Sequence, residues 1–388
     1  MVWGDKSVED LRKELVCDYH NGIPMVLLCK KYNISRKTAY KWINRCIELG
    51  LEEGIKDYSK APKTPALQYK DSILDQIFAL KLRKGTWGPR KLIARLQKDY
   101  PELEWPSENW VYKLLKEKNL IIKRKHRKHV AGTHPLADVN HSNDVWAVDF
   151  KGWFLTGDRA KCEPLTITDG YSRYLIGCNH INKKTAEYVW QRLEHCFYEY
   201  GTPKRIRTDN GPPFGSTGIG RLTPLSVKLI QAGVIPEWIN PGHPEENGRH
   251  ERFHLTLKQE IANPPAQSLR EQERRMTAFQ EEYNYERPHE ALAMKTPGEY
   301  YQKGKSWDGI LRKPEYDREK MEVRKVGQSG CIWVHQNEYY IGTTLTGEYI
   351  GITEDLKLYY GPIELGILKI GESVERPKLK KKPIIRRL

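Results

Sequence analysis

Trp146-Ala147-Val148-Asp149-Phe150 is the stretch whose reading decides the fold. Its apolar, β-favouring residues read as a buried strand, yet it carries one carboxylate. A carboxylate among such neighbours is expensive unless something positive offsets it, so Asp149 invites a functional explanation. Working outward, 164–169 and 174–178 read as two further strands, and three strands in quick succession suggest an antiparallel meander. Residues 185–200 follow as a helix with Ala186, Val189, Trp190, Leu193 and Phe197 on one face. Another strand, 204–209, ends on Asp209 and leads into a loop rich in glycine and proline through Pro224. A short helix over 225–232, a strand over 234–239, and helices over 247–261 and 269–283 complete an alternating α/β region.

The flanks differ in texture. Towards the N-terminus, Val8, Leu11, Leu15 and Val16 recur at helical spacing behind a capping Ser7. A short amphipathic helix ends at Asn33, and Ser35 opens another that carries Arg36, Lys37, Tyr40 and Lys41. This is a helix-turn-helix pattern over 1–56, with those four residues facing DNA and Ala39, Trp42 and Ile43 packing inward. Short three-helix bundles share the pattern. A linker rich in proline and lysine separates it from a second such candidate over 66–122, where Arg90 and Lys91 begin a helix and Ser107 caps the next. The run 123–129 follows, with Lys123, Arg124, Lys125, Arg127 and Lys128 as a phosphate-tracking linker over 123–142. Beyond the α/β region, short strands with glycine turns predict a small β-barrel over 318–375, and 376–388 is a basic tail.

The 388 residues carry a net charge of +15, which points to a polyanion such as nucleic acid. Seven scattered cysteines without a CxxC pair argue against a disulfide framework or structural zinc and for a cytosolic (cytoplasmic) protein with reduced thiols. No apolar run approaches the roughly 20 residues of a membrane span, and no membrane partner is expected.

Three acids hold the chemistry. Asp149 lies in the first strand, Asp209 at the end of a neighbouring one, and Glu251 on a helix in Gly248-Arg249-His250-Glu251-Arg252-Phe253-His254. Hard oxygen donors gathered in this way suit Mg²⁺ or Mn²⁺, and two ions about 3.5–4 Å apart serve an in-line displacement at phosphorus. Asp169 reads as a turn or structural residue. His250 and His254 read as DNA-facing or packing residues, because the chemistry calls for oxygen donors.

The motifs around Asp149, Thr208-Asp209-Asn210-Gly211, and Pro241-Gly242-His243-Pro244 through Glu251-Arg252-Phe253 resemble the catalytic core of retroviral integrases and bacterial insertion-sequence transposases. Tyr283-Asn284-Tyr285-Glu286-Arg287-Pro288-His289-Glu290-Ala291-Leu292 resembles the tail motif of the bacterial group. The resemblance covers 143–301. It implies a multidomain α/β chain with an RNase H-like core and a catalytic, metal-binding triad of the DDE type in Asp149, Asp209 and Glu251. It also implies that Lys258, seven residues after Glu251 on the same helix face, contacts the DNA end. Glu245 and Glu246 compete for the glutamate role, but they occupy the preceding loop.

The resulting expectation is a transposase that binds terminal inverted repeats, cleaves 3′ ends and joins them to target DNA with two Mg²⁺ (or Mn²⁺) ions, working as a homo-oligomer. A domesticated or inactive DNA-binding protein, or a metal-dependent nuclease without strand transfer, are the alternatives.

Overall fold

The computed structural model describes residues 7–58, 69–121, 139–240, 248–369 and 374–375. The chain divides into two compact units, Met1–Tyr69 and Lys70–Leu388.

The first unit holds α1 (Val8–His20), α2 (Met25–Tyr32), α3 (Arg36–Leu49) and the short α4 (Leu51–Gly54). Ser7 caps α1 in a reciprocal capping box with Asp10, and the Ser35 hydroxyl takes the Thr38 N–H at the start of α3. Asn33, in the left-handed region at φ 50°, ends α2 and reverses the chain. Leu15, Leu28, Ala39 and Trp42 form the core. The α3 face expected to pack inward is buried, and Arg36, Lys37, Tyr40 and Lys41 are exposed.

The second unit opens with α5 (Asp71–Arg83), α6 (Pro89–Asp99) and α7 (Glu108–Glu117). Pro89 occupies the first turn of α6, and Ser107 caps α7. Next come β1 (Val145–Phe150), the small ribbon β2 (Phe154–Leu155) and β3 (Lys161–Cys162), β4 (Pro164–Asp169) and β5 (Leu175–His180). Then follow α8 (Ala186–Tyr200), β6 (Arg205–Thr208), α9 (Pro224–Gln231), β7 (Ile235–Trp238), α10 (Gly248–Glu260), α11 (Leu269–Glu281) and α12 (Pro297–Tyr300).

The main sheet runs in the order β5-β4-β1-β6-β7. β5, β4 and β1 form the expected antiparallel meander, and β6 and β7 extend it in parallel. Trp146, Val148, Ile167, Leu193, Phe197 and Leu225 build a core that takes in α8 and α9. A separate cluster of Leu175, Cys178, Phe253, Leu257, Met276 and Phe279 packs α10 and α11. Covering from both sides explains why β4 is buried along its whole length although Thr166 and Thr168 alternate with Leu165 and Ile167.

The motif after α11 anchors the sheet edge. Asn284 accepts the Leu175 N–H through Oδ1 at 2.8 Å and donates to the Leu175 carbonyl through Nδ2 at 2.9 Å. Arg287 pairs with Glu260 of α10, which also accepts the Thr86 hydroxyl at 2.6 Å. Trp87, beside Thr86, is 1% exposed, and Lys84 reaches Glu282 at 2.7 Å. The α5–α7 segment is thereby fastened to the α/β core.

The C-terminal strands are β8 (Met321–Lys325), β9 (Cys331–Val334), β10 (Asn337–Tyr340), β11 (Tyr349–Thr353), β12 (Lys357–Tyr360), β13 (Ile363–Leu368) and β14 (Val374–Glu375). They do not form the expected barrel. Among the described residues they pair as an open sheet, β14-β13-β12-β11-β8, and a separate β9–β10 hairpin. The physical reason lies in what covers the sheet: Leu222, Val227 and Ile230 pack with Ile350, Ile352, Leu358, Tyr360 and Leu365. Ile332, Val334 and Tyr339 of the β9–β10 hairpin join the same cluster, so the hairpin, the loop before α9 and α9 itself bury the apolar face without a closed barrel.

Candidate active site

Pairing in the sheet sets two of the three acids side by side. β1 and β6 run in parallel with Ala147 opposite Arg207, and two residues further along each strand stand Asp149 and Asp209. Asp209 lies just past the end of β6, where its Oδ1 accepts the Gly211 N–H at 3.2 Å. Asn210 fixes this turn by donating to the Ile239 carbonyl at 2.8 Å and accepting from Arg221 Nη1 at 2.9 Å. Glu251 stands exposed in the first turn of α10.

The electrostatics tie the three together. Burial pushes the Asp149 carboxyl up to about 6, and the charges of Asp209 and Glu251 push the same way. Burial also raises Asp209, against the Gly211 N–H and the positive charge of Lys184. An acidic group held this way is one that a divalent cation would relieve, so the donor set fits Mg²⁺ or Mn²⁺.

On its inward face α10 carries His250 and His254. His250 is 1% exposed, with Nε2 2.7 Å from Thr166 Oγ1 and Nδ1 2.9 Å from Thr168 Oγ1. His254 Nε2 lies 2.8 Å from the same Thr166 oxygen, and its Nδ1 lies 3.9 Å from Asp149 Oδ2. Burial holds His250 well below the usual imidazole range and His254 down at about 3, so both rings are neutral. Of the two readings left open for them, the structure supports packing for His250. Asp169 is likewise structural: buried, it accepts the N–H groups of Asn143 and Ser172, each at 2.8 Å.

Lys258 is exposed on α10, near enough to Lys151 that its charge adds to burial in lowering the Lys151 ammonium. Lys151 and Lys184 were not anticipated. Lys184 acts on both Asp149 and Asp209, sits 4.8 Å from the Phe150 ring centroid and pairs with Glu163 at 2.6 Å. Both stand in connections whose course the local sequence does not define. Lys151 does follow Phe150 directly, which was the one available signal.

The remaining basic candidates fall in different places. Arg90 is exposed and paired with Glu108 at 2.8 Å. Lys91 is partly buried, lowered to about 8 chiefly by burial and then by Arg287, and lines a cavity of about 740 Å³ with Arg252 and Arg287. Arg36, Lys37, Tyr40 and Lys41 belong to the first unit. Lys123, Arg124, Lys125, Arg127 and Lys128, together with Glu245, Glu246 and the basic tail, lie outside the described residues. No helix is long and apolar enough to cross a membrane among the described residues.

Comparison with known proteins follows this division of the chain. Two integrase core domain models match residues 139–244 and 232–297. A helix-turn-helix domain matches 11–63 and a homeodomain-like domain 38–115. The insertion element IS407 uncharacterized 31.7 kDa protein of Burkholderia multivorans is 26% identical over 284 residues, covering 71% of this chain and 94% of that protein. The insertion element IS476 uncharacterized 39.2 kDa protein of Xanthomonas euvesicatoria is 27% identical over 259 residues, covering 66% and 70% respectively. Among solved structures, the HTLV-2 integrase catalytic core domain in complex with magnesium aligns with 42% of this chain and 98% of its own, at 16% identity and a TM-score of 0.31. Two overlapping integrase core models over the sheet and its helices, with insertion-element relatives running along most of the chain, make it similar to the insertion-sequence transposases of the integrase superfamily.

Proposed function

We propose that the protein binds the terminal inverted repeats of its element, cleaves the DNA at the 3′ ends and joins the freed 3′-OH to target DNA. The observation that supports this reading is the placement of Asp149 and Asp209 side by side on the paired strands β1 and β6, with Glu251 near enough for its charge to act on the half-buried Asp149 carboxyl. In it, Asp149, Asp209 and Glu251 are the catalytic, metal-binding residues for two Mg²⁺ or Mn²⁺ ions. When bound, such ions activate a hydroxyl nucleophile and neutralise charge on the leaving oxygen.

The chain's own residues do the rest. The Asp209–Asn210–Gly211 turn, tied to Ile239 and Arg221, holds one carboxylate at the strand end. Thr166 and Thr168 grip His250 and so fix α10, which presents Glu251, against β4. Lys258, with Lys151 beside it, offers positive charge to the scissile strand. The two-stage chemistry needs no covalent protein–DNA link, because water and then a DNA hydroxyl attack.

The division of labour follows the notion of separate arms: helix-turn-helix domains over 1–56 and 66–122, a basic linker over 123–142, the core over 143–301, a C-terminal sheet over 318–375 and a basic tail. Arg36, Lys37, Tyr40 and Lys41 read the element end, while Arg90, Lys91 and the 123–128 cations add backbone contacts. A homo-oligomer holds two ends together.

A pre-cleaved end oligonucleotide, a target duplex and Mn²⁺ or Mg²⁺ test the proposal. Joined products support it. Cleavage of uncut ends without joining supports a nuclease, and retention of DNA with neither supports a binding protein; either result overturns the proposal.

A further inference from the structure

The hydroxyl of Thr166 has one proton and three polar neighbours. One is the Asp149 carbonyl at 3.0 Å, which can only accept, so the proton goes there. The other two are His250 Nε2 at 2.7 Å and His254 Nε2 at 2.8 Å, which must then be N–H donors to the Thr166 oxygen. That fixes both tautomers. His250 Nδ1 is a bare nitrogen that accepts the Thr168 hydroxyl at 2.9 Å, leaving that ring fully engaged. His254 Nδ1 is left free of Thr166, and it faces Asp149 Oδ2 across 3.9 Å.

Asp149 Oδ2 and the His254 nitrogen not engaged by Thr166 thus turn two ligand atoms towards one space, where a divalent cation could take both. Their separation lies inside the roughly 4.2 Å that two donors at about 2.1 Å from one ion can span. One donor atom from each of Asp149, His250 and His254 falls within 4.8 Å of the others, but the proton accounting removes His250.

We infer that His254, through Nδ1, is a nitrogen ligand to the divalent ion held by Asp149, with Thr166 as the partner that sets its tautomer. The inference rests on the site proposed above and adds a ligand to it. One imidazole among carboxylates favours Mn²⁺, the softer ion, over Mg²⁺.

Mn²⁺ added to the full-length protein is the probe, read by electron spin-echo envelope modulation. The wild type is expected to show ¹⁴N coupling from a directly bound imidazole, changing to ¹⁵N in protein grown with ¹⁵N-histidine. In His254→Gln the coupling disappears, Mn²⁺ affinity falls about tenfold, and the preference for Mn²⁺ over Mg²⁺ shrinks. Absence of nitrogen coupling in the wild type, or coupling undiminished in His254→Gln, overturns the inference. Should His254→Gln fail to fold, His254→Asn and the labelled wild type carry the same test. The two failures differ: Mn²⁺ bound by oxygen alone sinks only His254 as a ligand, whereas Mn²⁺ affinity unchanged in Asp149→Asn sinks the site itself.

Discussion

Neutralising Asp149 is expected to stabilise the metal-free protein. Burial and the charges of Asp209 and Glu251 hold this carboxyl at about 6 against an ordinary 3.8. At about 1.4 kcal/mol per tenfold change in proton affinity, that gap corresponds to about 3 kcal/mol of destabilisation when the group is ionised. The side chain is 23% exposed, and solvent screening brings the figure to about 1–2 kcal/mol. The sign follows from proton binding: between pH 3.8 and about 6 the folded protein holds the proton more tightly than the unfolded chain. Stability therefore falls as pH rises through that window and stays reduced above it. Thermal unfolding in EDTA at pH 7.5 should show Asp149→Asn melting a few degrees above wild type, at roughly 2–4 °C per kcal/mol. At pH 4.5 the difference should narrow. Adding Mn²⁺ should then raise the melting temperature of the wild type and leave the variant nearly unmoved. A variant no more stable than wild type at pH 7.5, or equally favoured at pH 4.5, would refute the crowding of acids around Asp149.

Other outcomes follow from the same contacts. Arg287→Ala leaves Glu260 mostly buried with the Thr86 hydrogen bond and the charge of Lys91, so urea denaturation should show a loss of about 3 kcal/mol. Adding Glu260→Gln to that variant should recover part of the loss; full stability in the single variant would contradict the account. Replacing Arg36 and Lys37 with alanine should weaken binding to element-end DNA and flatten the log–log salt dependence by about two, at roughly 0.9 per phosphate contact. An unchanged salt slope would show that α3 does not face DNA.

What the sequence reveals here is mostly local or periodic. Ser7, Ser35 and Ser107 announce their helices because a cap bonds within three residues. The adjacency of Asp149 and Asp209 is legible because strand and helix periods alternate as they must in a layered α/β domain. What escaped depends on distant partners. Nothing near Lys184 signals that it will face Asp149 and Asp209, and nothing near Trp87 signals that Glu260 and Arg287 will meet Thr86 beside it. The strands beyond β8 look like a barrel because alternation and glycine turns fit either arrangement. The loop bearing Gly220 and the β9–β10 hairpin share the cover of the open sheet instead. At φ 62°, that glycine packs where an added Cβ would come within 2.6 Å of the Leu365 side chain, and the loop covers part of the face a barrel would have enclosed. The role of His254 was hidden for another reason: residue type alone argues against nitrogen ligands, and only the Thr166 geometry sets its other nitrogen toward Asp149.

The central claim is that Asp149, Asp209 and Glu251 together perform DNA joining. Joining of a pre-cleaved element end to target DNA, measured alongside end binding for Asp149→Asn, Asp209→Asn and Glu251→Gln, tests it most directly. The account predicts that each variant retains the DNA end and loses joined product by several orders of magnitude. Joining at near wild-type rates by any of the three would contradict it.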